Sequence, residues 1–107
     1  MPTLPDPIAA YFAAEQAGDA DALARCFAPG ASVRDERETR TGHAAIAAWM
    51  AAAKATYAQR SEPVSLRLDG ALHVVAAQVT GNFPGSPIMI DHAFRLADGA
   101  IQSLEIG

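Results

Sequence analysis

The chain has 107 residues, half of them apolar and 19% charged, with a formal net charge of -4. That size fits one domain, residues 1–107, with one core, and the balance excludes a disordered chain. Its eight basic residues are scattered and leave no footprint for nucleic acid, and no apolar run nears the roughly 20 residues of a membrane helix.

Residues 1–5 hold two prolines, and fraying is expected there. The opening MPTLPDPIAA lacks a charged stretch followed by an apolar one, so no signal peptide is expected. Asp6-Pro7 reads as an N-cap followed by proline at the first helical position. Ile8, Tyr11, Phe12 and Glu15 follow helical spacing, and Gly18 ends that helix. Asp19 caps a second, short helix whose buried face is Leu23, Cys26 and Phe27, and Pro29-Gly30 stops it. Cys26 is the only cysteine. It cannot form an internal disulfide, and it reads as an inert thiol in a reducing cytoplasm.

Ala31 to Asp35 can form a short strand with Val33 and Asp35 on one face. RDERETR is a charged turn with room for a brief second strand. Thr41-Gly42-His43 opens a third helix, with Thr41 as its cap. From Ala44 to Tyr57 this helix is rich in alanine, and Ile46, Trp49, Met50 and Ala53 form its apolar stripe, continuing to Tyr57. Pro63 separates it from the strands. Val64, Leu66 and Leu68 alternate with Ser65, Arg67 and Asp69, and Asp69-Gly70 signals a hairpin. Leu72 to Thr80 is a strand with an apolar middle on both faces. GNFPGSP, residues 81–87, is a loop.

PIMIDHAFRLADGAIQSLEI then reads as two strands joined at Asp98-Gly99. Ile88, Ile90, Phe94 and Leu96 recur with period two, and His92 is the one break in that row. Three helices followed by antiparallel strands make an α+β layout. A cone-shaped, mostly antiparallel sheet curling round its helices leaves an apolar cavity at one end, suited to a small hydrophobic ligand.

Each candidate residue has two readings. His92 can be an acid, a base or an oxyanion donor, or a core histidine held by a structural hydrogen bond. Asp35 can be a general base if apolar surroundings raise its pKa, or a surface acid among Arg34, Arg37 and Arg40. Tyr11 can aim its hydroxyl into the cavity or be core with a wet tip. Val33, Trp49, Met50 and Phe94 are expected to bind the substrate, with Val33, Trp49 and Phe94 lining one cavity together with Tyr11, Asp35 and His92. Trp49 and Met50 also read as core or pocket wall. His43, His73 and His92 lack metal-ligand spacing, and neither a phosphate loop nor a nucleophile elbow occurs, so no metal or other cofactor is expected.

Four segments in this order resemble the nuclear transport factor 2-like superfamily, and more narrowly its SnoaL-like and ketosteroid isomerase-like proteins. They are YFAAEQAGDADALARCFAP, ASVRDERETRTGHAAIAAWM, MIDHAFRLADGAI and the last strand, Gln102 to Ile106. The resemblance implies an α+β barrel of the nuclear transport factor 2-like, or cystatin-like, kind. It also implies a homodimer through the sheets. In ketosteroid isomerases a tyrosine on the first helix and a protonated aspartic acid on a late strand form the oxyanion hole, while a second aspartate moves the proton. Carried over, these fall on Tyr11, on Asp91 by its I-D-H context, and on Asp35.

The isomerases read I-D-H-F-R-F where this chain reads I-D-H-A-F-R-L. Ala93 is extra, and one residue reverses the faces of a strand. If Phe94 and Leu96 face the cavity, so does His92, and only a bulge near Ala93 brings Asp91 to their side. A two-residue Asp98-Gly99 turn pairs Asp91 with Ile106, whereas a three-residue turn pairs His92 with Leu104. The apolar row favours His92 inward, within direct or one-water reach of Asp35. The expected function is cofactor-free acid–base chemistry on a small hydrophobic carbonyl compound. The alternative is a non-catalytic ligand-binding or dimerisation module of the same fold.

Overall fold

The structure, a computed structural model, describes residues 3–107. Residues 1 and 2 of the expected tail lie outside the described residues. Helix α1 (Asp6–Ala17) starts at Asp6, with Pro5 at the cap position, so the Asp6 side chain caps nothing. Its charge still lies in the first turn, where the helix dipole favours an anion. Gly18 closes the helix at φ 71°, in the left-handed region that costs glycine nothing. Helix α2 (Ala20–Arg25) is capped by Asp19, whose Oδ1 accepts the Ala22 N–H at 3.0 Å.

Strand β1 (Phe27–Asp35) begins earlier than the sequence suggests. It takes in Phe27 and Pro29-Gly30, because its register against β6 is interrupted between Phe27 and Ser32, where a missing N–H does no harm. Strand β2 (Glu38–Thr41) follows a two-residue turn in which Glu36 and Arg37 both take positive φ. Helix α3 (His43–Tyr57) has Gly42, not Thr41, at its N-cap, and no side chain caps it. The His43 ring instead bonds the Phe27 carbonyl at 2.7 Å.

Strand β3 (Arg60–Asp69) contains Pro63 instead of starting after it. This is an edge strand, where proline is tolerated. A register shift beside Pro63 makes Val64 the bulged, exposed residue, so it leaves the row of Leu66 and Leu68. The β3–β4 turn is Gly70-Ala71, one residue beyond the expected pair.

Strands β4 (Leu72–Thr80), β5 (Ile88–Ala97) and β6 (Ala100–Ile106) complete one sheet in the order β2-β1-β6-β5-β4-β3. Only the β1–β6 pair is parallel. This is the α+β architecture expected: three helices against a curved, mostly antiparallel sheet. Ile8, Phe12, Leu23 and Ile46 of the helices meet Val33, Val75, Phe94 and Leu104 of the sheet in one core. Tyr11 meets Phe94 edge-on at 5.3 Å and Phe12 at 5.1 Å, which locks α1 onto β5.

Candidate active site

The register of β5 decides which residue faces the helices. Its pairing with β4 runs without a break from Ile88 to Arg95, so there is no bulge at Ala93. The β5–β6 turn is the two-residue Asp98-Gly99, yet His92 pairs with Ile106. Gln102 explains this. It is an extra residue in β6, between the Arg95–Ser103 and Leu96–Ile101 pairs, and it shifts the register by one. Neither simple turn geometry therefore applies. Alternation puts His92, 3% exposed, in one row with Val75 and Ile106 on the inner face. Asp91 lies on the outer face, where Arg67 Nη2 donates to its Oδ2 at 3.2 Å.

A cavity of about 490 Å³ opens between the helices and the wide end of the sheet. Tyr11 and Glu15 of α1, Asp35 at the end of β1, Trp49 and Met50 of α3, and His92 of β5 all line it. Val33 and Phe94 do not. Both are fully buried beneath it, where Phe94 fills the narrow end against Tyr11 and Phe12. They belong to the core and not to the ligand surface.

Three polar groups of the lining are the candidates read from the sequence: Asp35, Tyr11 and His92. Asp35 is half-buried, and its Oδ2 accepts the Trp49 indole N–H at 3.2 Å. The backbone behind it is fixed by Arg40 Nη1, which donates to the Asp35 carbonyl at 3.1 Å. Tyr11 is 1% exposed. Burial, then the charges of Glu15 and Asp35, push its phenol well above the usual tyrosine range, so it stays a hydrogen-bond donor. Burial lowers the pKa of His92, with the Ile90 carbonyl and Asp35 opposing, so the ring is neutral at pH 7.

The His92 Nδ1 lies 3.2 Å from the Ile90 carbonyl. A carbonyl only accepts, so Nδ1 carries the proton and Nε2 presents a lone pair. Among the described residues Nε2 has no hydrogen-bond partner, and it is not among the sealed unpartnered atoms, so it opens on the cavity. No direct hydrogen bond joins His92 to Asp35; the two share the cavity without touching. Among the described residues, no cluster of three or more His, Cys, Asp or Glu side chains is able to hold a metal ion.

Some of the site does not show in the sequence pattern. Glu15, 1% exposed, accepts the Ser61 N–H at 3.0 Å and the Ser61 Oγ–H at 2.6 Å. Lys54 Nζ stands 3.6 Å away and also donates to the Gln59 carbonyl. A charged residue on the apolar stripe of α1 was the available signal for Glu15. Ser61 gives none, standing just before a proline. Phe83 and Pro84 of the 81–87 loop also line the cavity. That loop docks through Asn82 N–H to the Tyr57 carbonyl at 2.7 Å. Gly81 permits the approach, since a Cβ there would stand 2.7 Å from the same oxygen.

The model of the SnoaL-like domain matches residues 8–104. The chain belongs to the SnoaL-like family. The span that carries the family match includes every cavity residue named above. A proposed polyketide cyclase from Sinorhizobium meliloti superposes with a TM-score of 0.92 at 42% identity, covering 97% of this chain and 95% of that one. An epoxide hydrolase/cyclase-like enzyme of pyran ring formation in the polyether salinomycin gives 0.78 at 26% identity, covering 94% and 86%. A Catenulispora acidiphila protein with a ketosteroid isomerase-like fold, in complex with trimethylamine, gives 0.85 at 22% identity, covering 98% and 86%. Among curated proteins none matches. A proposed polyketide cyclase and a cyclase-like enzyme thus share this SnoaL-like fold. In this member the aspartate of the I-D-H segment faces outward and the histidine inward, unlike the arrangement carried over from the ketosteroid isomerases.

Proposed function

We propose that this SnoaL-like protein performs acid–base chemistry, without a cofactor, on a small hydrophobic carbonyl compound, in a cyclisation, isomerisation or dehydration of the polyketide cyclase type. The observation that carries the reading is that Asp35, Tyr11 and the Nε2 lone pair of His92 open on one largely apolar cavity. The proposed polyketide cyclase at 42% identity supports it from the side of the family.

In this reading Asp35 is the base. One of its oxygens is held by Trp49 Nε1, which leaves the other to take a proton from the carbon next to the substrate carbonyl. The electron pair moves onto the carbonyl oxygen. Tyr11, kept protonated, donates its O–H to that oxygen and steadies the enolate. Charge is conserved, because Asp35 becomes neutral as the enolate becomes negative. His92 enters as a neutral acceptor. The proton held by Asp35 passes to the His92 Nε2 and from there to a second carbon of the enolate, which returns Asp35 to the carboxylate and the enolate to a carbonyl, while Nδ1–H stays on the Ile90 carbonyl. Asp91 has no part.

A turnover screen of small cyclic and polyketide-like ketones tests this. Wild type converts at least one of them, and Asp35→Asn and Tyr11→Phe each lose about a hundredfold or more of that rate. Asp91→Ala keeps it. Full activity in Asp35→Asn removes the proposed base, and ketones that bind without turnover point to the ligand-binding alternative.

A further inference from the structure

The proposed chemistry leaves two cavity carboxylates unused, the exposed Glu36 and the buried Glu15. Glu15 is more deeply buried than Asp35: Ser61 N–H and Ser61 Oγ–H donate to its two oxygens, and the Lys54 ammonium pairs with it at 3.6 Å. Donors converging on both oxygens are the surroundings of a fixed carboxylate anion. Such a group does not swing toward a ligand. It sets the potential of the space in front of it, and a low-dielectric wall makes that potential felt.

The Lys54 ammonium, 3.6 Å from Glu15 Oε1, offsets part of that potential from outside the lining. Within the lining Asp35 and Glu36 add further negative charge. Among the described residues Arg40 is the one cation that lines the cavity, and its guanidinium is committed to the Asp35 carbonyl and to Glu38 at 2.9 Å. Lys54 stands behind Glu15 and is not part of the lining. The lining also includes the aromatic residues Trp49, Tyr57 and Phe83, and an aromatic ring attracts a cation that reaches its face.

We propose that Glu15 is the charge-selecting residue of this cavity: ligands with an apolar body and a neutral or amine-bearing head are admitted, and carboxylates are turned away. The inference rests on the reading of this cavity as the ligand site, and it narrows the substrate class to uncharged or cationic carbonyl compounds.

The test uses three probes that share a tert-butylcyclohexane body and differ in the head: the ketone, the primary amine and the carboxylate. Trp49, the only tryptophan, reports binding by its fluorescence at neutral pH and low salt. The ketone and the amine are expected to bind at least about tenfold more tightly than the carboxylate, since a close charge that its counter-ion only partly offsets is worth a factor of that order. Glu15→Gln, which preserves shape and an acceptor for Ser61 N–H, should shrink the amine-to-carboxylate ratio by about tenfold. Lys54→Gln, which removes the cation behind Glu15, should widen it. Equal binding of amine and carboxylate by wild type overturns the inference while leaving the ligand site standing. So does a ratio that neither substitution moves. Failure of all three probes to bind overturns the site reading and this inference with it.

Discussion

Truncation of Glu15 to alanine should be among the most damaging single changes in this protein. The substitution removes the acceptor of two hydrogen bonds, at 2.6 and 3.0 Å, from a Ser61 that is itself only 4% exposed. A buried donor left without an acceptor costs about 1–3 kcal/mol, and breaking a buried charged pair by deleting one partner costs about 3–5 kcal/mol. The two ranges describe overlapping losses, so the expected destabilisation is about 3–4 kcal/mol. Part of the total is tertiary, because the bonds join α1 to β3 across 46 residues of sequence. Glu15→Gln also leaves Lys54 without its counter-ion but keeps an acceptor for Ser61 N–H, so it should cost less than the alanine variant by about 1 kcal/mol or more. Urea unfolding followed by Trp49 fluorescence measures both. With a slope of about 1–3 kcal/mol per molar urea, the alanine variant should lose at least about 1 M in midpoint. The double variant Glu15→Ala/Ser61→Ala should cost less than the sum of the singles, with a coupling of about 1 kcal/mol or more. A loss below about 1 kcal/mol in Glu15→Ala, or equal losses in the alanine and glutamine variants, refutes the reasoning.

Arg37 takes a φ of 66° in the β1–β2 turn, so Arg37→Gly should stabilise the fold by about 1 kcal/mol; a lower thermal midpoint contradicts this. Burial lowers the His92 pKa below its unfolded value of 6.5, so below that pH the unfolded chain binds more protons than the folded one. Stability from this source is fully present above pH 6.5 and is lost as pH falls from there toward the folded pKa. His92→Gln should flatten that part of the urea-midpoint profile, and an unchanged slope would mean another group titrates. We also propose a homodimer through the outer face of the sheet, around Ala76 and Ala93, and Ala93→Arg should dissociate it. A wild-type protein that sediments as a monomer at micromolar concentration rules the dimer out.

Much of the fold was legible because strand alternation and helix stops are local. The row Ile88, Ile90, Phe94, Leu96 fixes the face of β5, and His92 follows with it. The turn sequence could not fix the partner of His92, because the bulge at Gln102 is settled by packing across the sheet. Pro63 misled for a related reason: a proline inside a strand is acceptable only at an edge, and edge position is a property of the whole sheet. Val33 and Phe94 read correctly as apolar and inward, but periodicity does not distinguish core from cavity wall. That distinction depends on how far α1 and α3 stand from the sheet. Glu15 was visible as a charge on an apolar stripe, yet its partner Ser61 lies 46 residues away in sequence and shows no pattern of its own.

The central claim is that Asp35 removes a proton next to a bound carbonyl. The most direct measurement is solvent deuterium incorporation into tert-butylcyclohexanone in D2O, followed by proton NMR, in wild type, Asp35→Asn and Asp91→Ala. The account predicts that wild type accelerates exchange above the buffer rate, that Asp91→Ala does the same, and that Asp35→Asn falls by about a hundredfold or to background. Exchange at the buffer rate in wild type with the ketone bound, or equal exchange in wild type and Asp35→Asn, contradicts it.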